Sequence, residues 1–296
     1  IVVGTRPNFI KIAQLPKELK SSGLFEWKVV HTGQHYDDKM STVFFEQFGI
    51  TPDIFLGIET GTPTVQMANI LIGLEEAMMN YKPDLCIVAG DVNSTAAAAL
   101  AAGKLNIRVA HIESGLRSFD KTMPEEFNRI IADNVADILF VTEQSGIDNL
   151  LNEGKTKNSI FFVGNTMIDT IVAHEKEINA CSILQKLKIE NEDFVLMTMH
   201  RPATVDSKAG LLKLIELIRT VTAKYKIVFP IHPRTVKNLK QFALHEKLVS
   251  NNNLILTEPL DYFSFQKLVK SSKFTLTDSG GIQEESTFLR IPCLTL

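Results

Sequence analysis

The stretch Leu85-Cys86-Ile87-Val88-Ala89-Gly90-Asp91-Val92-Asn93-Ser94-Thr95-Ala96 decides the fold. An apolar run with β character stops at a Gly-Asp pair and gives way to an alanine-rich helix that is expected to begin near Ala96. Working outward, the same order recurs. Strand-like runs at 1–4, 27–32, 109–112, 138–141 and 160–163 alternate with longer segments of helical period. The alternation restarts at Phe194, with runs at 194–199, 226–230, 254–256, 274–277 and 293–296 and an amphipathic stretch at 211–223 between two of them. Such alternation predicts parallel strands joined by crossover helices, an α/β protein.

A chain of 296 residues has room for two domains. The polar stretch 186–193 reads as a linker region and the hinge is placed near 164–166, giving expected domains 1–166 and 167–296. Residue 1 lies within an apolar run and the last residues read as a strand, so a few initial residues and a C-terminal stretch are expected to be missing. Composition excludes several classes. At 45% hydrophobic and 22% charged the chain is of ordinary globular make-up. Lysine and arginine number 31 against 34 acidic residues, a net charge of -3, which offers no polycationic face for nucleic acid. The three cysteines, Cys86, Cys181 and Cys293, are too widely spaced for a zinc site or disulfide framework, which suits a reducing, cytoplasmic setting. No apolar run reaches the roughly 20 residues needed to span a bilayer, so no membrane partner is expected.

Familiar catalytic fingerprints are absent. No G-x-G-x-x-G follows the first strand; Gly103-Lys104 lacks the glycine and hydroxyl of a P-loop; Thr277 replaces the first glycine of a nucleophile elbow around Ser279; and no H-E-x-x-H or C-x-x-C occurs. Polar residues gather instead at the strand ends, where ligands bind in parallel sheets. Gly4-Thr5-Arg6-Pro7-Asn8, followed by Lys11, can hold an anion on free N–H groups and Arg6, or can be a plain strand-to-helix turn. Asp91 can face a ligand or belong to the cap region of the next helix, with Ser94 and Thr95. Alternation places His111 and Glu113 on one face, and Glu113 either works or is neutralised by Arg117. Thr122 and Glu125 fit a capping box, and Arg129 fits a helix ion pair with Glu125. His200-Arg201 and His232-Pro233-Arg234 end two later strands and suit acid–base or phosphate work. Thr277-Asp278-Ser279-Gly280-Gly281-Ile282-Gln283-Glu284-Glu285 exposes N–H groups at a helix start, with acidic residues a turn later, an arrangement suited to a diphosphate and ribose hydroxyls.

Taken together, Gly4-Thr5-Arg6-Pro7, Gly90-Asp91 with Ser94-Thr95, 111–117, Pro124-Glu125-Glu126 with Asn128-Arg129, His200-Arg201 and 278–285 resemble the non-hydrolysing UDP-N-acetylglucosamine 2-epimerases, in that family's order along the whole chain. The resemblance implies two Rossmann-like domains of GT-B type facing a cleft, a C-terminal part that is incomplete here, a homodimer, and a UDP-sugar substrate. It implies reversible inversion at C2 by elimination and re-addition of UDP through 2-acetamidoglucal, without redox cofactor or metal. Asp91, Glu113 and Glu125 would be the acid/base carboxylates, with His200 assisting. Arg6, Ser279, Gly280 and Gly281 would hold phosphates and Glu285 the ribose, with Lys11, His232 and Arg234 as further phosphate contacts and the stretch from Tyr262 to Phe265 at the uracil. Departures are Asn8, where many members carry Glu, Pro202-Ala203-Thr204 after His200-Arg201, and Asn69, where members with a regulatory substrate site carry Arg. Asn8 to Lys11 and His31-Thr32-Gly33-Gln34-His35 also resemble epimerases of diacetamido uronic acid nucleotides. A hydrolysing 2-epimerase, a GT-B glycosyltransferase and a sugar-nucleotide sensor are the competing readings.

Overall fold

A computed structural model of the chain describes residues 1–33, 38–58 and 61–296. It divides into two compact units, Ile1–Ala173 and His174–Leu296. The helix Thr166–Ala173 packs on the helix Arg6–Ile12 and so belongs to the first unit, beyond the expected break at 166. The polar stretch 186–193 lies inside the second unit.

The first unit holds β1 (Val2–Val3), β2 (Val30–His31) and β3 (Ile54–Phe55), and then β4 (Leu85–Ala89), β5 (Arg108–Ser114), β6 (Ile138–Val141) and β7 (Ile160–Phe162). Every pairing is parallel, in the orders β1-β2-β3 and β4-β5-β6-β7, and β1 runs beside β4. The strand order therefore reverses at β1 and β4, which is where an open α/β sheet leaves a crevice at its C-terminal edge. Close approach at this seam is permitted by Gly4, where an added Cβ would lie 2.0 Å from Ser94 Oγ.

Helix Asn93–Lys104 starts at Asn93 rather than near Ala96, because Ser94 and Thr95 do not cap it. Their hydroxyls are spent sideways in the first turn, Ser94 on Thr32 at 2.7 Å and Thr95 on the Ala89 carbonyl at 2.8 Å. The alanines of this helix are buried around its circumference. With little side-chain bulk they let helices Pro63–Tyr81 and Pro124–Val135 approach on either side.

The second unit holds β8 (Phe194–Thr198), β9 (Lys226–Pro230), β10 (Leu254–Thr257), β11 (Phe274–Thr277) and β12 (Cys293–Thr295), all parallel, in the order β10-β9-β8-β11-β12. Val195 and Met197 face a cluster with Leu211, Leu214 and Ile218, while Phe194 and Leu196 face Ile183, Leu268 and Val269. Both faces are covered, which accounts for an apolar strand without polar alternation. Here the strand order reverses between β8 and β11. No helix among the described residues is long and apolar enough to cross a membrane.

Candidate active site

At the reversal point of the first unit, Asn8 fixes the loop after β1. Its Oδ1 accepts hydrogen bonds from the N–H groups of Gly4 and Thr5, at 3.1 and 3.0 Å, and its Nδ2 donates to the Ala89 carbonyl at 2.8 Å. Asn8 thus ties the end of β1 to the end of β4. Arg6 lies beside it with its guanidinium 5.8 Å from the ring centre of Phe44. One turn on, Lys11 Nζ sits 2.7–2.8 Å from the two carboxylate oxygens of Glu113. The side chains are only 9% and 16% exposed, so this is a shielded ion pair rather than an open cation.

Glu113 holds an unusual backbone. Its φ is +71°, and the pairing of β5 with β6 slips between Ile112 and Ser114. A non-glycine residue in the left-handed region costs of order 1–3 kcal/mol and persists where the surroundings impose it, commonly at functional sites. The bulge also overturns the simple alternation expected of His111 and Glu113. His111 is fully buried in the sheet, while Glu113 is turned to Lys11. The expected partner of Glu113, Arg117, pairs instead with Asp133 and Glu153.

Asp91, at the end of β4, forms an ion pair with Arg129, which also lies 3.4 Å from Glu126. Arg129 therefore serves Asp91 across the fold rather than Glu125 along its own helix. Thr122 and Glu125 form no capping box: the N-cap is Met123, and the Thr122 hydroxyl is drawn to Asp120. Glu126 is the buried member of the glutamate pair and binds the N–H groups of Ser118 and Phe119 at 2.9 and 3.0 Å, whereas Glu125 is exposed in the first turn. Asp91 and Glu113 thus stand at the ends of neighbouring strands, each facing its own cation.

In the second unit, Asp278 follows β11 and is fully buried. Burial alone would raise its pKa. The bonds from the His200 ring and from the N–H groups of Arg201 and His200 outweigh that and hold it below the usual carboxylate range. The His200 ring is 55% exposed and its Nδ1 lies 2.7 Å from Asp278 Oδ1. The aspartate orients the imidazole and leaves Nε2 for a ligand. Asp278 carries no predicted role, although its position after a strand in the motif was the available signal.

Ser279 is the N-cap of helix Gly280–Phe288, and its side chain makes no capping bond. A Cβ at Gly280 would meet nothing within 4 Å, so the N–H groups of the first turn are accessible from that side. Glu285, one turn further, is buried; desolvation pushes its carboxyl up to about 7, with neighbouring Glu284 adding to the rise and Gln266 opposing it.

Three further expected phosphate or base contacts have partners within the second unit. His232 caps its helix by accepting the Arg234 N–H at 3.2 Å, Arg234 is paired with Asp206, and Phe265 packs half-buried against the cluster of Phe194 and Leu268. Gln34 and His35 lie outside the described residues.

Both units are therefore doubly wound α/β sheets with charged or anion-binding groups at the reversal of strand order, the layout of a protein that handles a nucleotide-linked substrate. The profile of the UDP-N-acetylglucosamine 2-epimerase family matches residues 17–296. A UDP-N-acetylglucosamine 2-epimerase of Methanocaldococcus jannaschii is 41% identical over 303 residues, covering 100% of this chain and 82% of that protein. A UDP-2,3-diacetamido-2,3-dideoxy-D-glucuronate 2-epimerase of Pseudomonas aeruginosa is 37% identical over 300 residues, again covering 100% and 82%. The crystal structure of the M. jannaschii epimerase in complex with UDP-GlcNAc and UDP matches with a TM-score of 0.93 at 40% identity, covering 100% of this chain and 82% of that one. This chain belongs to the UDP-N-acetylglucosamine 2-epimerase family.

Proposed function

We propose that the protein interconverts UDP-N-acetylglucosamine and UDP-N-acetylmannosamine by inversion at C2. The observation that carries the reading is the pair of shielded carboxylates at the ends of β4 and β5, Asp91 facing Arg129 and Glu113 facing Lys11. The C2 proton is barely acidic because no carbonyl adjoins it. Breaking the C1–O bond first sends the electron pair to UDP and leaves positive charge at C1, which loosens the C2 proton. A carboxylate removes it, the C1–C2 double bond forms, and 2-acetamidoglucal results. Return of a proton to the other face of C2 and of the UDP oxygen to C1 completes the inversion.

In this scheme Asp91, Glu113 and Glu125 perform the proton transfers and stabilise the cationic ring. Arg6, His200 and the first turn at Ser279, Gly280 and Gly281 take the diphosphate, and Glu285 takes the ribose hydroxyls. Each paired with a cation at a strand end, Asp91 and Glu113 are the groups that accept protons and stabilise the ring charge in this scheme. The protein is further taken to act as a cytoplasmic homodimer. A second reading, epimerisation of a UDP-diacetamido uronic acid, is favoured by the P. aeruginosa relative. Each nucleotide sugar incubated with the protein and followed by NMR separates the two. The first reading predicts conversion of UDP-N-acetylglucosamine to its C2 epimer without free sugar. Turnover of the uronic acid nucleotide alone favours the second, and release of free N-acetylmannosamine a hydrolase.

A further inference from the structure

We infer that His111 and Asp133, which touch no predicted ligand contact, are positioning residues for the reaction: a buried hydrogen-bonded strut that fixes the backbone just before Asp91 and just after Glu113. The inference rests on the epimerase reading for its catalytic consequence. His111 and Asp133 are both fully shielded from solvent. His111 Nε2 lies 2.8 Å from the Gly90 carbonyl and Nδ1 lies 2.7 Å from Asp133 Oδ1. A carbonyl can only accept, so Nε2 carries a hydrogen. Asp133 is occupied as an acceptor on both oxygens, its Oδ2 receiving the Gly115 N–H at 3.0 Å and Arg117 Nη1 at 2.7 Å. Burial opposes its ionisation, but the bonds and charges of His111 and Arg117 prevail and keep it a carboxylate. The Nδ1–Oδ1 hydrogen bond closes the link, so the ring is anchored at both of its nitrogens. Arg117 continues the alternation of charge to Glu153 at 2.6–2.7 Å.

The placement of the two backbone contacts gives the strut its role. Gly90 has φ +67° and its carbonyl belongs to the peptide that leads into Asp91. Gly115 has φ +81° and lies two residues beyond Glu113, which is itself at φ +71°. Two strand-end positions in the left-handed region, Gly90 and Gly115, are thus pinned by one buried pair. Removing the ring would release both the Gly90 peptide and Asp133.

Selective 15N labelling of histidine in the chain tests the strut directly: at neutral pH Nε2 of His111 gives the shift of a protonated ring nitrogen, and an unprotonated Nε2 overturns the inference. His111→Gln and Asp133→Asn test the positioning. In each, deuterium uptake at C2 of UDP-N-acetylglucosamine from heavy water falls about 100-fold, the order expected when reacting groups shift by an ångström. KM and UDP affinity stay within about twofold, because the diphosphate contacts are untouched. A variant that melts as the wild type does and retains its turnover overturns the positioning role, as does a parallel loss of UDP affinity. If the wild type takes up no deuterium, the epimerase reading fails, while the 15N result still judges the strut by itself.

Discussion

Three acidic residues show how environment divides one functional group into different tasks. Asp91 and Glu113 each face a cation at contact distance, whereas Glu285 is buried with no cation paired to it among the described residues, and its carboxyl is pushed up to about 7 from an ordinary value of 4.5. Between those values the folded state holds a proton that the unfolded chain has lost, so Glu285 makes stability fall as pH rises from 4.5 to 7 and then level off. Glu285→Gln, which is neutral throughout, should match the wild type near pH 4 and exceed it by at most about 3 kcal/mol at pH 8 in denaturant melts. A variant equally displaced at both pH values would mean that the carboxyl titrates normally. If Glu285 accepts hydrogen bonds from ribose hydroxyls, UDP affinity should also rise with pH through 7 in the wild type and lose that dependence in the variant.

At the scale of elements, the strand ends are set by glycines that no other residue can replace without strain. Gly90 combines φ +67° with a Cβ position 2.7 Å from Lys11 Nζ. Gly90→Ala should therefore cost about 1–2 kcal/mol from backbone conformation alone, measurable in urea. It should also displace the lysine that neutralises Glu113, so turnover falls more than stability; an unchanged melting curve would show that the loop relaxes freely. The strands themselves were legible where apolar residues run together: β4, β6, β9 and β11 begin and end where their runs do. β3 was not, since Ile54–Phe55 is too short for any periodicity to declare it. The partners of charged residues were the least legible. Local spacing paired Glu125 with Arg129 and Glu113 with Arg117, but the fold joins Arg129 to Asp91 and Lys11 to Glu113 from segments far apart in sequence.

For the whole molecule, the class of fold followed from one repeated device, an apolar strand ending in polar and glycine residues before a helix, and both units carry it. The extent of the first unit was less legible. Nothing in the composition of Thr166–Ala173 marks it as packing back on the helix Arg6–Ile12, and only a bond such as Thr170 Oγ1 to the Ile10 carbonyl, at 2.7 Å, reveals the allegiance. The candidate site was readable as a set of strand ends because sheet topology converts sequence order into neighbourhood; the buried His111–Asp133 pair was not, since its meaning lies in which backbone groups it touches. The proposed function requires carboxylates of the first unit to move a proton at C2 while the substrate's bond to UDP is broken. The most direct measurement is mass and NMR analysis of UDP-N-acetylglucosamine and UDP-N-acetylmannosamine recovered after incubation with the protein in heavy water. Deuterium is expected at C2 of both sugars with the wild type, and none with Asp91→Asn although UDP still binds; epimerisation that leaves the original hydrogen at C2 would rule out proton transfer at that carbon.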